Sequence, residues 1–409
     1  MKSLFTVIAG LLTTVLSVSS SFGNVAAPEI PLPVAPVNNG ALILYLPSPS
    51  DKGGVSEFPE TTTITETTTV TEATTVNDAT TATETTTTFE TRPPKETEMS
   101  AETDDTPFFT NEVVQELSPE PLLVFSRNIS TIIEDLSEFS SKDGTVIKRT
   151  FRPELGESYI QLARGGRVRN ETKTDETFLL SESVLLPEFV PEKNNEPQVL
   201  IIHTHTTEGF RIFDDGSYDR EYSFRTLDSR KSVVAVGAKI AEEIAKEGYA
   251  VLHDGTVHDY PAYSGSYKRS EETIKSLLSE YPSIKIVLDI HRDAIESEAG
   301  VPIAAVNEIN GRDAAQIMIV SPADDGEWDV PDYMKNFRLA SLLQSHLETQ
   351  NAGITRALLF QYCNYNLNLS PGSLLIEVGS HGNTLEQAVY AGELLGRSIG
   401  QMLNELNTN

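Results

Sequence analysis

The chain has 409 residues, with 60 acidic and 31 basic side chains and a formal net charge of −29. This excess of negative charge argues against a nucleic acid or an anionic lipid surface as partner, because both are bound by clustered basic side chains. The single cysteine, Cys363, excludes an intramolecular disulfide framework and a cysteine-rich metal cluster. The length predicts two or three domains.

Residues 1–27 are predicted to direct the protein to export. Lys2 is followed by the apolar run LFTVIAGLLTTVLSV, which has the length of a signal-peptide core and is shorter than the ~20 residues that comfortably span a bilayer. A cleavage site is poorly marked because Pro28 follows Val25-Ala26-Ala27, so an uncleaved membrane anchor is the alternative to a signal peptide. Either form places the rest of the chain outside the cytoplasm.

Residues 28–110 are predicted to be a disordered linker. Their composition is dominated by Pro, Thr and Glu, as in the run TTTITETTTVTEATTVNDATTATETTTTFETRPP. With almost no large apolar side chains to bury, such a segment cannot recover the entropy cost of ordering. We therefore expect it to hold the following residues clear of the membrane.

Residues 111–196 are predicted to form a small accessory segment of mixed structure. NISTIIEDLSEFSSK has the pattern of a short amphipathic helix, and TVIKRTFRPELGESYIQLARGGRVRNETK has the pattern of strands, with turns at Gly144 and at Gly165-Gly166. This segment contains no histidine, no cysteine and no acidic cluster, which indicates a role in packing or in contact with a partner.

Residues 197–409 alternate strands with helices and are predicted to form the catalytic domain. The predicted strands are PQVLIIHTH, YAVLHD, IKIVLDIHRD, AAQIMIVS and SLLIEVGS. The predicted helices are DSRKSVVAVGAKIAEEIAKEGY, SEETIKSLLSEYP, one that carries Leu339, Leu342, Leu343 and Leu347, and a last helix from about Thr384, where Thr384 and Gln387 fit a capping box. This alternation is typical of an α/β fold with a mostly parallel twisted sheet and helices on both faces, in which sites lie at the carboxyl ends of the strands.

Three of these strands end in side chains of the kinds that bind metals or move protons. VLIIHTH ends at His203 and His205 with Glu208 just beyond, IKIVLDIHRD ends at Asp289, His291, Arg292 and Asp293, and SLLIEVGSHGN ends at Glu377 and His381. Because the carboxyl ends of parallel strands meet at one edge of a sheet, we expect these side chains to converge.

His205, Glu208 and His291 are the predicted ligands of a zinc ion. Alternation along a strand predicts that His203 and His205 point to one face, and Glu208 can swing back beside His205 from the following turn. Two histidines and one glutamate with an open fourth position are a recognised catalytic zinc set. His203 is then either a fourth ligand, which would make the site inert, or a group that orients the ligands.

Glu377 is the predicted general base. It follows the apolar run LLI, where a buried carboxylate is costly unless it has a proton or a partner such as Arg292 or Arg269. Beside a zinc-bound water, this carboxylate can take a proton and pass it to the leaving amine. Arg292 or Arg269 is predicted to stabilise the oxyanion, Asp289 to orient a ligand imidazole, and His381 to cap or line the cleft.

Four stretches of the second half carry a family resemblance: PQVLIIHTHTTEGF, GYAVLHDGTVHDYPAYSGSYKRSEETI, KIVLDIHRDA and LSPGSLLIEVGSHGNTLEQA. With YIQLARGGRVRNETK, they are similar to the stage II sporulation protein P family from about Tyr159 to the end of the chain. The resemblance implies the fold of zinc-dependent N-acetylmuramoyl-L-alanine amidases. It also implies hydrolysis of the peptidoglycan amide between N-acetylmuramic acid and L-alanine, with cleavage of peptide cross-links as a second activity.

The resemblance further implies a place and partners for the protein. The place is outside the mother-cell membrane, facing the forespore during engulfment, and the partners are the sporulation proteins D and M.

Position by position, the resemblance implies that His205 and His291 match the zinc-binding histidines of amidases and that Glu377 matches their catalytic glutamate. One departure affects the carboxylate ligand. Typical amidases take it from the start of the first long helix, where this chain has LDSR. Glu208 is therefore the preferred carboxylate ligand, and Asp228 is the alternative.

Two other functions are compatible with the same residues. A zinc carboxypeptidase-like wall peptidase would release a terminal amino acid, whereas an amidase frees the amino terminus of L-alanine. A catalytically inactive wall-binding module would pellet with cell walls without any dependence on zinc.

Overall fold

A nine-stranded sheet organises residues 123–152 and 158–408, which are the residues that the computed structural model of the protein describes. The predicted export segment, 1–27, and the predicted linker, 28–110, lie outside these residues. None of the helices in the described ranges combines the length and the apolar character needed to cross a membrane.

The strands of the protein are short on the amino-terminal side and longer in the second half. They are β1 (Val124–Arg127), β2 (Gly144–Thr145), β3 (Ile147–Arg149), β4 (Tyr159–Gln161), β5 (Arg167–Asn170), β6 (Val199–Ile202), β7 (Ser217–Tyr218), β8 (Val251–Asp254), β9 (Ile286–Asp293), β10 (Ile303–Ile309), β11 (Arg312–Ala315), β12 (Ile317–Ala323), β13 (Leu358–Tyr362) and β14 (Ser373–Ser380).

The large sheet has the order β1-β8-β6-β9-β14-β12-β13-β5-β4. Neighbours pair in parallel except for β12 with β14 and β4 with β5, which are antiparallel. The prediction of a mostly parallel sheet is confirmed. Strands β1, β4 and β5 come from the predicted accessory segment and form the two edges of this sheet. A small sheet of β11, β10 and β3 and a pair of β2 with β7 complete the strand pairing in the described residues.

Helices cover both faces of the large sheet. They are α1 (Glu176–Ser183), α2 (Val233–Lys246), α3 (Ser266–Glu280), α4 (Tyr333–Gln350) and α5 (Leu385–Thr408), with a 3-10 turn at Leu367–Leu369. Apolar side chains of α2, α4 and α5 share one buried cluster with Ile201 and Ile290, whereas those of α3 share another with Leu200 and Ile202. Because Ile201 and Ile202 project to opposite faces, α2 and α3 lie on opposite sides of the sheet.

The capping box at the start of α5 is confirmed. The backbone N–H of Gln387 donates to Oγ1 of Thr384 at 3.2 Å, and the backbone N–H of Thr384 donates to Oε1 of Gln387 at 3.2 Å. These reciprocal bonds satisfy two of the amide groups that a helix leaves without intrahelical partners.

The prediction of an amphipathic helix in residues 128–142 is wrong, since this segment contains no helix. Its backbone is instead fastened to the loop before α2. The side chain of Glu134 accepts a hydrogen bond from the backbone N–H of Leu227 at 2.9 Å, and the backbone N–H of Glu134 donates to Asp228 at 3.4 Å. Ile133, which the helix would have buried, is 73% exposed. Long-range contacts therefore override a weak local preference.

The two predicted turns have different outcomes. Gly165 and Gly166 form the turn between β4 and β5 with φ of 105° and 80°, a region that favours glycine. Gly144 lies in strand β2, where a Cβ atom would stand 2.2 Å from the ring of Tyr218. The glycine there allows a close approach of the ring, so the predicted turn at Gly144 is wrong.

Candidate active site at the carboxyl ends of β6, β9 and β14

The chain leaves the sheet immediately after β6, and this separates His203 from His205. Strand β6 ends at Ile202 and residues 204–207 form a turn. His203 lies on the α2 side, where its Nε2 is 3.0 Å from Nε2 of His253, whereas the ring of His205 packs edge-on against Tyr267 of α3 at 5.5 Å. The prediction that His203 and His205 share a face is wrong, because strand alternation stops where the strand ends.

The pair of His203 and His253 is a buried structural link between three strands. Nδ1 of His203 lies 2.9 Å from the carbonyl oxygen of Ile290, which can only accept, so this nitrogen carries a proton. Burial lowers the pKa of His203 to about 4 and that of His253 to about 3, so both rings are neutral at pH 7. Nε2 of His203 therefore accepts from Nε2 of His253, and both ring nitrogens of His203 are engaged.

One ring nitrogen of His205 is buried and has no partner in the described part of the chain. Its ring stacks on Tyr263 with centroids 4.5 Å apart, and its Nε2 lies 3.0 Å from the Tyr263 hydroxyl. Its Nδ1 is buried and finds no hydrogen-bond partner within the described part of the chain. Burial lowers the pKa of His205 to about 4, so the ring is neutral at pH 7.

Glu208 brings a buried carboxylate to the same cleft. Its Oε2 lies 3.5 Å from Nδ1 of His291 and accepts a hydrogen bond from the backbone N–H of Arg292 at 3.1 Å. Burial opposes ionisation, but His291 and Arg292 outweigh it and hold the pKa of Glu208 far below its usual range. The group is therefore a carboxylate, and its position is fixed from β9.

His291 stands between two carboxylates. Its Nε2 is 2.8 Å from Oδ1 of Asp289, although the atoms are aligned as an ion pair rather than as a hydrogen bond. Asp289 is itself held by the backbone N–H and the hydroxyl of Thr204, at 2.8 and 2.6 Å. Burial lowers the pKa of His291, but Asp289 and Glu208 outweigh burial and raise it well above the usual value. This position in the cleft therefore favours positive charge.

Glu377 lies beside His291 on the neighbouring strand. The two residues are register partners on β14 and β9, and the rings of His291 and His205 have centroids 5.2 Å apart. Oε2 of Glu377 is buried, and among residues 123–152 and 158–408 it has no hydrogen-bond partner. Burial, together with the charge of Asp293, raises the pKa of Glu377 to about 8. The carboxyl group is therefore able to exchange a proton near neutral pH.

Arg292 and Arg269, which were predicted to stabilise the oxyanion, instead donate hydrogen bonds to backbone carbonyl groups of the loops around the cleft. Arg292 donates from Nε to the carbonyl oxygen of Gly209 and from Nη2 to that of Phe224, each at 3.0 Å. Arg269 donates from Nε to the carbonyl oxygen of His258 at 2.6 Å and from Nη1 to that of Ser264 at 3.2 Å. In the described ranges neither forms an ion pair with Glu377, so the salt bridge considered as an alternative for Glu377 is absent there.

Asp228 and His381 do not contact the three proposed ligands in the way that the sequence allowed. Asp228 is paired with Arg230, with Nη2 to Oδ2 at 2.7 Å and Nε to Oδ1 at 2.8 Å. The ring of His381 packs edge-on against Phe224 with centroids 4.9 Å apart, and its Nε2 lies 3.5 Å from Glu296. Asp228 is thus engaged by its own loop, whereas His381 lines the rim of the cleft.

Sequence reasoning missed three residues of the cleft. Tyr263 and Tyr267 border His205. Arg356, two residues before β13, reaches the cleft through its ion pair with Asp293. Tyr267 lies in the first turn of α3 and Tyr263 in the loop before it, so no periodic pattern links the two tyrosines to His205. Arg356 has no sequence signal either, because it follows no strand end and belongs to no motif.

Within the described ranges, no set of three or more His, Cys, Asp or Glu side chains is already spaced to hold a metal ion. The donor atoms present are nevertheless of the kinds that suit zinc, namely two imidazole nitrogens and a carboxylate oxygen. The buried Nδ1 of His205 lacks a partner, and Nδ1 of His291 lies 3.5 Å from Oε2 of Glu208. These residues therefore fit a zinc ion chemically.

Comparison with known families identifies the chain. The model of a family described as Stage II sporulation protein P (SpoIIP) matches residues 72–400. The chain belongs to this family. The match takes in every strand end of the candidate site, so the cleft lies inside the part of the chain that defines the SpoIIP family. No curated protein matched the chain.

Several solved amidase structures resemble this SpoIIP-family chain. The CwlD amidase from Clostridioides difficile, solved in complex with the GerS lipoprotein, shares 16% identity at a TM-score of 0.33 and covers 52% of this chain and 98% of its own. An N-acetylmuramoyl-L-alanine amidase from Clostridium difficile 630 shares 17% identity at a TM-score of 0.31, covering 52% and 97%. The amidase AmiC2 of Nostoc punctiforme shares 13% identity at a TM-score of 0.31, covering 54% and 99%.

Proposed function

We propose that the protein is a peptidoglycan hydrolase, and specifically a zinc-dependent N-acetylmuramoyl-L-alanine amidase. Membership in the SpoIIP family supports peptidoglycan as the substrate. The observation that carries the amidase proposal is the meeting of three side chains: Glu377 faces His291 across paired strands, and His291 lies 3.5 Å from Glu208. This arrangement combines candidate metal ligands with a carboxyl group able to transfer a proton.

In this proposal His205, Glu208 and His291 hold the zinc ion. Bound zinc would polarise the scissile carbonyl group and make the attacking water more acidic. Asp289 fixes the ring of His291 from the side opposite Glu208, and the Tyr263 hydroxyl, 3.0 Å from Nε2 of His205, leaves Nδ1 of that ring free to bind. Glu208 is preferred to Asp228 as the carboxylate ligand because Asp228 is paired with Arg230.

Glu377 is proposed to move the proton. Its Oε2 takes a proton from the attacking water and delivers it to the nitrogen of the leaving L-alanine, so an N–H bond forms as the carbon–nitrogen bond breaks. The raised pKa of Glu377, about 8, suits both steps because the group can be protonated and deprotonated near neutral pH. Arg292 supports this chemistry by fixing Oε2 of Glu208 through its backbone N–H and the adjoining loop through its side chain.

The proposed place of action is the extracytoplasmic side of the mother-cell membrane during engulfment of the forespore. The protein would be secreted or anchored through its amino-terminal segment, and the sporulation proteins D and M would be its partners. Family membership is the support for this part of the proposal.

Mass spectrometry of the products released from purified peptidoglycan, with and without a chelator, tests the proposed function. We expect free amino termini on L-alanine, and we expect the chelator to abolish them. Release of a terminal amino acid instead would favour a wall carboxypeptidase. Chelator-insensitive release would contradict the metal mechanism, and wall binding without any product would favour an inactive wall-binding module.

A further inference from the structure

Arg356 lies beside Glu377 although no sequence motif connects the two residues. The backbone N–H of Arg356 donates to the carbonyl oxygen of Ile317, and Thr355 is the register partner of Ile317, so Arg356 stands next to Met318. Met318 is in turn the register partner of Glu377. Arg356, Met318 and Glu377 therefore form a row across the same face of the sheet.

Only one of the three guanidinium nitrogens of Arg356 has a hydrogen-bond partner in the described part of the chain. Its Nη1 donates to Oδ2 of Asp293 at 2.8 Å, and the side chain is 12% exposed. Its Nε and Nη2 are buried, and in the part of the chain that the structure describes they have no hydrogen-bond partner. A buried donor without a partner is unfavourable because it has lost its hydrogen bonds to water, so an acceptor is expected there in some functional state.

The two unpaired nitrogens point to one kind of ligand. Nε and Nη2 form one edge of the guanidinium plane, and their two parallel N–H bonds match the two oxygens of a carboxylate. Arg338 provides a contrast within the same protein: its Nε donates to Glu182 and its Nη1 to Glu188, each at 2.8 Å. A carboxylate is therefore the group that the free edge of Arg356 suits best.

Strand order places this free edge near the reacting bond. Arg356 approaches from the β13 side and Asp293 lies on β9, with β12 and β14 between them. The ion pair of Arg356 and Asp293 therefore passes over β14, and the charges of both residues act on the Glu377 carboxyl. A substrate group bound by Arg356 would therefore lie on the same face of the sheet as Glu377.

We propose that Nε and Nη2 of Arg356 bind the carboxylate of the stem-peptide residue that follows the leaving L-alanine. In peptidoglycan this residue is an acidic amino acid whose α-carboxylate is free in some walls and amidated in others. The inference rests on the proposed amidase function and names a determinant of its substrate specificity. Both nitrogens are shielded from solvent, so the ion pair forms in a setting where a charge-assisted hydrogen bond is strong. Side chains that cover the edge must yield for the carboxylate to enter.

The ring of Phe151 borders the same guanidinium. It lies 6.0 Å from Cζ of Arg356, and its backbone N–H and carbonyl are both bonded to the side chain of Gln316, at 2.6 and 2.9 Å. The ring therefore lies near the guanidinium, on a backbone segment that two hydrogen bonds fix to Gln316.

Kinetics on two matched substrates test the inference. They are N-acetylmuramoyl tripeptides that differ only in a free or an amidated α-carboxylate at the second residue. We expect the unmodified enzyme to prefer the free carboxylate, and Arg356→Gln to lower kcat/KM for that substrate by about 10- to 100-fold while changing the amidated one less than about threefold. Arg356→Lys, which can keep the ion pair with Asp293, should show the same loss of preference, since it lacks the forked edge.

Arg338→Gln is the matched control and should retain the preference. Equal losses on both substrates in the Arg356 variants, or no preference in the unmodified enzyme, would overturn the inference. An enzyme that releases the tripeptide, with a free amino terminus on L-alanine, from neither substrate would overturn the proposed function instead. A binding measurement separates the two failures. The same two tripeptides, without the N-acetylmuramoyl group, are titrated calorimetrically into the Glu377→Gln variant and into the Glu377→Gln, Arg356→Gln double variant. The inference is supported, independently of turnover, if the single variant binds the carboxylate peptide more tightly than the amidated peptide and the double variant does not. It is overturned if both variants bind the carboxylate peptide equally tightly.

Discussion

Glu377 and His291 are direct register partners on the parallel strands β14 and β9. Paired residues of adjacent strands project to the same side of a sheet, so the carboxyl group and the imidazole enter one cleft. Backbone hydrogen bonds of the central sheet, rather than a loop, therefore set the spacing between the proposed general base and a proposed zinc ligand. Such rigid support is what a proton transfer beside a metal requires.

Replacement of His291 by alanine should abolish both zinc binding and muropeptide release. Loss of one ligand of three should weaken zinc binding by more than about 100-fold, since even groups behind the ligands contribute 10- to 100-fold. Metal content after dialysis and product release from sacculi are the measurements. His346→Ala is the matched control, because His346 of α4 lies outside the candidate site and pairs with Glu405 of α5 at 2.9 Å. Full zinc content in His291→Ala would exclude His291 as a ligand.

Replacement of Glu377 by glutamine should leave zinc in place and remove activity. The amide cannot accept the proton of the attacking water, and general-base catalysis contributes about 100- to 10,000-fold. The measurements are kcat on a muropeptide and metal content of the same sample. Glu386→Gln, at a side chain that is 84% exposed, should change neither. Retention of most of the turnover in Glu377→Gln would remove Glu377 from the general-base role.

Replacement of Asp289 by asparagine should weaken zinc binding while the fold persists. Asp289 lies 2.8 Å from Nε2 of His291 on the side away from Glu208, and loss of such a group typically lowers metal affinity by about 10- to 100-fold. Competition with a chromophoric chelator measures this change. Asp313→Asn, which breaks a surface ion pair with Lys148, should bind zinc like the unmodified protein. An unchanged dissociation constant for Asp289→Asn would contradict the orienting role.

Protonation of Glu243 should destabilise the packing of α2 against α5 in acid. Burial opposes ionisation of Glu243, but Lys239, Lys246 and Arg397 outweigh it and lower the pKa to about 2. Because the folded pKa lies below the unfolded one, this contribution to stability is complete above the unfolded pKa, which is about 4.3, and is lost as the pH falls from there towards 2.

The contribution should be about 1–2 kcal/mol, after allowance for solvent screening of the half-exposed Lys246 and Arg397. Urea unfolding at a series of pH values measures this contribution. The free energy of unfolding of Glu243→Gln should be lower than that of the unmodified protein near pH 6, and it should change less between pH 5 and pH 3. Glu386→Gln, at a carboxylate of α5 that is 84% exposed, should keep the pH dependence of the unmodified protein. Identical pH profiles for Glu243→Gln and the unmodified protein would contradict the assignment.

Elements with a strong periodic pattern were predictable from the sequence. The apolar runs of β6, β9 and β14 and the apolar faces of α2 and α5 appear where they were expected, because burial of these side chains is satisfied by a sheet covered on both faces. Strands β10 and β13 were not predicted, and the predicted strand AAQIMIVS covers only the end of β11. The structure pairs β10 with β11 and β3, and it pairs β13 with β12 and β5, which a short sequence window does not show.

Local patterns failed where a distant contact competes with them. Residues 128–142 have helical periodicity, yet Glu134 binds the loop at Leu227 and Asp228 and holds the segment against it. His203 and His205 have strand alternation, yet the turn after Ile202 sends their rings to opposite sides of the sheet. In the first case the deciding interaction joins residues that a short sequence window does not contain. In the second case the strand ends before the alternating pattern does.

The sequence by itself determined the family, the layered α/β architecture and the kinds of side chain at the strand ends, because apolar periodicity and residue type are local properties. Only the tertiary structure decided that His205 rather than His203 faces His291, and that Arg356 lies over Glu377 with an unpaired edge. Those relationships depend on strand order and register. Both are set by the pairing of backbone groups that are far apart along the chain.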